Sequence, residues 1–449
     1  MKRRISSDLL IPSVWETTTN HKMSDKKKNI TSLGERRKKF SFLIPLADLR
    51  ITLTLLSFSM VLIFVATLEQ VRVGIRGAQA EFFESLYGIW HYPEQFWGGE
   101  FLNPLPIPIP GGYLLGGLLI LNLISAFITR FQWTGKKMGI QFIHLGIIML
   151  LIGQLATQAM QEESRMQINK GESKNYLERF HGVELAFIDV TNPETEQVVA
   201  LSQALLEGGG MHYSQDLPFK VKILGFGPNC EFNSLPPARE ATGPAEKVNR
   251  GVIQSANLEI RPKPEDFSSE GMNFGYVVFE LLDGAESMGT WAAISHPAGN
   301  HWWAQINPKM GDLAFQPIRM NGKLWGVTLR PEREYLPYSI ELLGIANEFY
   351  QGTDIPFNFE SEIMLRMGQN QSRRALVYMN TPLRHEGKTF YQYQMNKAAD
   401  YTVFQVVRNP SWLVPYIACI LVSFGLLWQF SFHLARFLSK NAAANKSMA

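Results

Sequence analysis

The sequence predicts a membrane protein with four transmembrane α-helices and one large β-rich extracytoplasmic domain. Of the 449 residues, 46% are hydrophobic and 18% are charged, but the apolar residues are concentrated in four stretches. These stretches cover residues 51–68, 111–129, 138–160 and 412–432, and they contain no Asp, Glu, Lys or Arg. A helix needs about 20 apolar residues to cross a bilayer, whereas a helix on the core of a soluble protein usually carries charge on one face. We therefore predict four membrane spans.

The spans divide the chain into eight predicted segments. They are a basic cytoplasmic tail (1–48), a first span (49–68), an external loop rich in aromatic and proline residues (69–110), a second span (111–130), a third span (138–160), an external β-rich domain (161–410), a fourth span (411–433) and a cytoplasmic tail (434–449). The first span begins late and has no small-residue cleavage site after it, so we do not expect a cleaved signal.

The basic residues predict the orientation in the membrane. Twelve of the 43 Lys and Arg residues lie in residues 1–50, and segments 130–137 and 434–449 each have three basic residues and no acidic one. The loop 69–110 instead has five Glu residues. We expect a multi-pass protein of the bacterial inner (plasma) membrane, in which basic loops stay in the cytoplasm. Both termini should be cytoplasmic and the large domain periplasmic, with the basic tail serving topology rather than nucleic-acid binding.

The predicted external domain has the composition of short strands separated by turns. Alternating or β-branched segments occur at residues 183–190, 219–225, 252–261, 276–282, 340–343, 362–366 and 374–379. Clusters of Gly, Pro and Asn between them indicate turns, which favours a sandwich or barrel-like architecture. In the loop 69–110, aromatic residues are expected either to pack as a lid on the helices or to contact a substrate.

His144 is the candidate functional residue. It lies in the third span, roughly 9 Å from the start of the span at about 1.5 Å per residue. An ionisable residue at that depth is costly and indicates function by default, and neutral imidazole is a common ligand of haem iron. Gly139, Gly146 and Gly153 recur every seven residues and predict a close helix contact, from which His144 lies roughly 200° away. The residues alone leave two alternatives, a haem ligand or a structural histidine bonded to a backbone carbonyl or to a neighbouring Ser or Asn.

The other histidines and the two cysteines are weaker candidates. His433, near the end of the last span, is expected to reach towards lipid headgroups. His296 and His301 have no Cys or carboxylate at a spacing that would complete a metal site. Cys230 is expected to be an inert core residue and not to pair with Cys419. The chain also lacks Cys-x-x-Cys, His-Glu-x-x-His and Gly-x-Ser-x-Gly, so we predict no catalytic residue and no self-contained active site.

Several segments carry a family resemblance. The third span with its histidine is followed by residues 167–173 (Gln-Ile-Asn-Lys-Gly-Glu-Ser), and residues 340–362 form a strand, an aromatic-glycine turn and a second strand. Residues 379–393 contain Asn-Thr-Pro-Leu and Phe-Tyr-Gln and are the most specific, and strand 403–408 leads into the last span. With the membrane plan, these segments resemble the ResB/CcsB family of the cytochrome c maturation route called System II. The likeness is weakest in residues 195–330 and in the loop 69–110.

The resemblance implies a cytochrome c biogenesis subunit that works with a CcsA/ResC-type membrane protein. Together they would hold or transport haem b across the membrane for attachment to apocytochrome c. The third-span histidine of the family matches His144, so the resemblance implies that His144 is an axial ligand of the haem iron. The partner supplies the opposing histidine and a tryptophan-rich external haem site, which Trp302 and Trp303 do not match. The chain is therefore expected to be a non-catalytic or shared-site subunit of a cytochrome c synthase complex.

Two alternative functions remain open at this stage. A b-type haem subunit of a respiratory enzyme would usually provide two facing intramembrane histidines of its own, whereas here only His144 lies well inside a span. A non-catalytic membrane anchor would instead use its β domain to bind an external protein.

Overall fold

The chain folds into two compact units, one helical and one β-rich. The structure is a computed structural model that describes residues 40–92, 105–132, 134–192, 195–236, 240–266, 273–295, 315–353, 356–368, 371–395 and 400–448. The helical unit comprises the described parts of residues 1–160 and 410–449, and the β unit comprises those of residues 161–409. Most of the predicted basic tail, up to residue 39, lies outside the described residues.

Four of the helices are long and apolar enough to cross a membrane. The helices are α1 (Leu49–Ala78), α2 (Gly112–Arg130), α3 (Met138–Met160), α4 (Gln203–Gly208), α5 (Gly251–Ser255) and α6 (Val414–Met448), and the membrane-length ones are α1, α2, α3 and α6. Short 3-10 turns lie at Ser41–Leu43 and Gly243–Ala245, and a π-helical turn at Gln79–Phe83 follows α1. Together with the antiparallel β unit, these helices confirm the predicted fold class.

The first helix continues beyond the predicted apolar span and ends in a lid. At Gly74 the backbone has a φ of 77°, a left-handed conformation that glycine adopts without a Cβ penalty, and the helix changes direction there. The following π turn buries Phe82 completely, in a cluster with Leu62 and Val65 of α1 and Leu115 of α2. The described part of the loop, residues 79–92 and 105–110, therefore packs on α1 and α2.

Polar contacts join α1 to α2 near the start of α1. Asn122 is buried, and its side-chain Nδ2 donates to the carbonyl oxygens of Leu46 and Asp48 at 2.6 and 3.2 Å. Its Oδ1 accepts from the Thr52 hydroxyl at 2.6 Å. A buried amide costs free energy unless it is hydrogen-bonded, and these three bonds satisfy Asn122 while fixing the start of the first membrane helix.

The glycine face of α3 packs against α6, as the seven-residue spacing predicts. A Cβ added to Gly146 would lie 2.6 Å from Val422 Cγ2, and one added to Gly153 would lie 2.7 Å from Val414 Cγ1. The Thr157 and Ser411 hydroxyls are 2.8 Å apart near one end of this contact. Small residues let the two backbones approach closely, so α3 has a defined rotation about its axis.

The strands of the β unit form an antiparallel arrangement. The strands within the described residues are β1 (Tyr87–Trp90), β2 (Ile107–Pro110), β3 (Glu162–Asn169), β4 (Ser173–Asp189), β5 (Gln197–Ser202), β6 (Gly210–His212), β7 (Lys220–Gly227), β8 (Cys230–Ser234), β9 (Leu258–Pro262), β10 (Tyr276–Asp283), β11 (Glu286–Ile294), β12 (Gln316–Met320), β13 (Lys323–Phe349), β14 (Pro356–Met367), β15 (Gln371–Tyr378), β16 (Leu383–His385), β17 (Lys388–Met395) and β18 (Tyr401–Arg408). The β1–β2 hairpin belongs to the helical unit.

The long strands β4 and β13 run through both halves of the β unit. In one half they join β5 and β12 and face the sheet β11-β10-β7-β6, around a core that includes Phe187, Phe279 and Trp325. In the other half they join β3 and β14–β18 around a second core that includes Phe390 and Phe404. The strand pair shifts register between the halves, where Gly182 of β4 has a φ of 100°.

One strand prediction is wrong for part of its range. Residues 252–255 were expected to begin a strand, but they form the short helix α5, and the strand itself, β9, begins at Leu258. Gln316 Oε1 accepts a hydrogen bond from Val252 N at 3.1 Å, which satisfies a backbone group that the first helical turn leaves without a partner. Ile253 is buried in the core beside β9. Tertiary packing therefore overrides the β-branched composition of this segment.

Candidate functional site

His144 lies on the third membrane helix with one ring nitrogen anchored and the other open. Its Nδ1 is 2.8 Å from the backbone carbonyl oxygen of Ile140, one turn earlier in α3. A carbonyl oxygen can only accept a hydrogen bond, so Nδ1 carries the proton and Nε2 keeps its lone pair. In the described part of the chain, Nε2 has no hydrogen-bond partner. The half-buried ring is therefore held in one tautomer with a free ligand atom.

The direction of His144 follows from the packing of α3. Gly146 faces α6, and His144 lies roughly 200° from it around the helix. Gln158 lies fourteen residues later, which places it roughly 40° from His144 on the same face. The Gln158 amide donates to Glu84 Oε1 at 2.9 Å and to the Tyr113 hydroxyl at 3.4 Å, so this face of α3 turns towards α2 and the lid. His144 therefore does not belong to the α3–α6 contact.

This arrangement fits an axial ligand of haem iron. Histidines that bind metals usually donate the second ring N–H to a backbone carbonyl or a carboxylate, which sets the tautomer and orients the ring. The structural alternative also predicts a histidine bonded to a backbone carbonyl oxygen, so the bond to Ile140 fits both alternatives. The chemistry of the donor therefore suits one coordinate bond from Nε2 to iron.

Among the described residues of the four membrane-length helices, the histidines are His144 and His433. Among the described residues, no three His, Cys, Asp or Glu side chains form a group that could hold a metal ion. His433 on α6 is engaged with Gln429 of the same helix, with their Nε2 atoms 2.7 Å apart. In the β unit, the His212 Nε2 lies 3.1 Å from the Gly209 carbonyl oxygen, and His385 packs edge-on against Tyr338 at 4.5 Å between ring centroids. His296 and His301 lie outside the described residues, as do Trp302 and Trp303.

Cys230 is a core residue of the β unit and not a reactive thiol. It is buried beside Ile260 and Tyr276, and both cysteines are free, as the sequence predicts. Burial raises the pKa of the Cys230 thiol to about 12. Because the thiolate is the nucleophile in thiol exchange, Cys230 is unsuited to keeping other thiols reduced.

The sequence-based search did not single out the polar neighbours of the His144 face. Gln158 was recognisable as a polar residue within the third span, and helical spacing places it close to the azimuth of His144. Its partners Glu84 and Tyr113 are far from it in sequence and carry no local signal.

No family model matches the chain, and no curated protein matches it. The likeness to the ResB/CcsB family therefore rests on the sequence motifs alone. The membrane-length helices, the β unit and the anchored ring of His144 stand independently of that likeness.

Proposed function

We propose that this chain is the haem-handling subunit of a cytochrome c biogenesis complex, and that His144 binds the haem iron within the membrane. The observation that carries the proposal is the hydrogen bond from Nδ1 to the Ile140 carbonyl oxygen, which leaves Nε2 free. An ionisable histidine with an unused nitrogen in a membrane-length helix is costly without a function. The family resemblance supplies the identity of the cargo, haem b, and of the recipient, apocytochrome c.

The proposal requires a second membrane protein. Haem iron has two axial positions, and the described residues of this chain supply one ligand for them. We assign the opposing ligand to a CcsA/ResC-type partner in the bacterial inner membrane. The basic segments favour cytoplasmic termini and a periplasmic β unit, which would place that unit where apocytochrome c receives haem.

The residues around His144 would position the ring rather than react. The Ile140 carbonyl oxygen orients the imidazole and makes Nε2 a stronger donor to iron. The contact between Gly146 and Val422 fixes the rotation of α3, so the ring keeps its direction when cargo enters and leaves. Haem, when bound, is the group to be delivered, and the apolar surroundings of a membrane span keep water away from the ligand atom.

The first experiment is an absorption spectrum of the complex purified with its CcsA-type partner. The His144→Ala variant should lose or shift the Soret band while the two proteins still purify together, and added imidazole should restore the band. His433→Ala is the matched control, because it removes a histidine that lies on α6 beside Gln429, and its spectrum should be unchanged.

The alternatives give different spectra. Full haem occupancy and full cytochrome c yield in His144→Ala would refute the ligand assignment. Absence of haem in the unmodified complex would favour a membrane anchor without a cofactor. A stable haem in this chain without any partner would favour the respiratory b-type subunit.

A further inference from the structure

At one end of the β unit, the outer face of the sheet carries arginine and aromatic side chains. A solvent-facing sheet surface is expected to carry polar side chains instead. Met166 of β3 and Leu177 of β4 point into the core, and because side chains alternate along a strand, their neighbours point outwards. The outward residues, which we call the Arg165 face, are Arg165 on β3, Tyr176, Glu178 and Phe180 on β4, Arg333 and Tyr335 on β13, and Tyr393 on β17.

Among the described residues, Arg165 is a partly buried cation without a hydrogen bond. It makes no hydrogen bond and no ion pair in the described part of the chain, and its Nε is buried. Its guanidinium carbon lies 6.0 Å from the centroid of the Phe180 ring. Burial lowers the pKa of Arg165, an effect that Glu178 and then Tyr393 oppose. A buried donor left unpaired destabilises the fold, and more so when the group is charged, so the unpaired Nε of Arg165 lowers the stability of the β unit.

The nearest carboxylate is already occupied by another arginine. Glu178 Oε1 accepts from Nη2 and Nε of Arg333 at 3.1 and 3.3 Å. Arg333 also stacks on Tyr176, with its guanidinium carbon 4.0 Å from the ring centroid. Two arginines therefore lie beside Glu178, and this carboxylate bonds only to Arg333 among the described residues. A further carboxylate would complement the guanidinium of Arg165.

The aromatic residues of the face are exposed to solvent. Tyr335 is 50% exposed and Tyr393 is 47% exposed, and Tyr393 lies edge-on to Phe180 at 6.0 Å between ring centroids. Small-molecule sites are concave, whereas this is the outer surface of a sheet. Exposed tyrosine and arginine on a flat surface are instead typical of the residues that dominate protein interfaces.

We propose that the Arg165 face docks a partner protein through a segment that presents an Asp or Glu carboxylate beside an apolar side chain. The carboxylate would bind the free nitrogens of the Arg165 guanidinium, and the apolar neighbour would pack on Phe180 and Tyr393. The proposal does not depend on haem, because it is carried by the charge and the exposed rings of the β unit alone.

Photo-crosslinking in intact cells tests the proposal with the full chain. The photoreactive amino acid p-benzoylphenylalanine replaces Tyr393, and in a second protein it replaces Tyr213, which is 69% exposed and lies outside the Arg165 face. The Tyr393 probe should give a protein adduct whose crosslinked peptide contains Asp or Glu, and the Tyr213 probe should not give that adduct. Arg165→Gln should reduce the adduct yield about tenfold or more, the loss expected for a charge-assisted bond.

Further variants keep the result interpretable. Arg179→Gln removes an arginine of the neighbouring strand β4 that lies 3.7 Å from Glu332, and it should leave the yield unchanged. Arg165→Lys keeps the charge but not the planar donors and should give an intermediate yield, which separates recognition from misfolding. Reversing the charge at Arg165 and at the crosslinked acid together should restore the adduct.

Three outcomes would overturn the proposal. They are an adduct that is unaffected by Arg165→Gln, a crosslinked peptide without an acidic residue, and adducts with lipid only or with nothing. Because Arg165→Gln should leave the Soret band of the complex intact, failure here is distinguishable from failure of the His144 assignment.

Discussion

The contact between Gly146 on α3 and the residues of α6 offers a quantitative test of how the third membrane helix is held. A Cβ on Gly146 would lie 2.6 Å from Val422 Cγ2 and 2.9 Å from the backbone oxygen of Ala418. Valine has one strongly preferred rotamer in a helix, and the Ala418 oxygen is backbone. The Gly146→Ala methyl can therefore be accommodated only if the two helices separate.

The size of the effect follows from these distances. Ordinary contact begins at 3.4 Å, so the methyl is 0.8 Å too close to Val422. Overpacking of this kind costs about 1–3 kcal/mol, against which Ala in place of Gly gains about 0.8–1 kcal/mol in a helix interior. Gly117→Ala on α2 provides the matched control, because no atom lies within 4 Å of a Cβ at that position and only the gain remains.

The measurement is the free energy of unfolding of both variants in lipid bicelles. Gly117→Ala should be slightly more stable than the unmodified protein, and Gly146→Ala should be less stable than Gly117→Ala by about 1–3 kcal/mol. Equal stability of the two variants would show that α3 and α6 are not in the close contact described above. The rotation of α3, and with it the direction of His144, would then lose its structural basis.

Two further predictions concern the β unit. Burial raises the pKa of the Cys230 thiol to about 12, so in a Cys419→Ala background it should react with iodoacetamide at pH 8 about a hundredfold more slowly than an ordinary thiol of pKa about 8.5. Rapid labelling of the native protein would contradict the burial of Cys230. Hydrogen bonds from Lys323 and Thr191 lower the pKa of Asp189 to about 2, so its stabilising effect is complete above pH 4 and lost as the pH falls from about 4 to about 2. Asp189→Asn should therefore lower the thermal unfolding temperature at pH 7 and reduce its loss between pH 4 and 2, whereas an unchanged acid profile would exclude this contribution.

Features that depend on local composition were predictable from the sequence. The membrane-length helices follow from apolar runs, because a bilayer imposes a minimum length on any helix that crosses it. The packing face of α3 follows from the spacing of Gly139, Gly146 and Gly153, because residues seven apart lie on one side of a helix. The tautomer of His144 was not predictable, since either ring nitrogen could have bonded to the protein.

Features that depend on contacts distant in sequence were not predictable. The helix at 252–255 is stabilised by Gln316, more than sixty residues later, and no local pattern indicates that bond. Arg165 has no hydrogen bond to Glu178 of β4, because that carboxylate bonds to Arg333 of β13. A contact between strands that lie this far apart in the sequence can be predicted only once the register of the sheet is known. The sequence alone therefore identified His144 as a candidate binding residue but did not identify Arg165.

The His144 and Arg165 side chains each have a nitrogen atom that no other group of the described residues binds. In the described residues, His144 Nε2 and the buried Nε of Arg165 each have no hydrogen-bond partner. A buried donor such as the Arg165 Nε costs free energy when it is left unpaired, and an ionisable residue within a membrane span is costly without a function. We therefore expect the two groups to be satisfied in a complex, by different partners and independently. His144→Ala should remove haem while leaving the docking of the β unit intact, and Arg165→Gln should do the reverse. Loss of both properties in either variant would mean that one partner interaction controls the other.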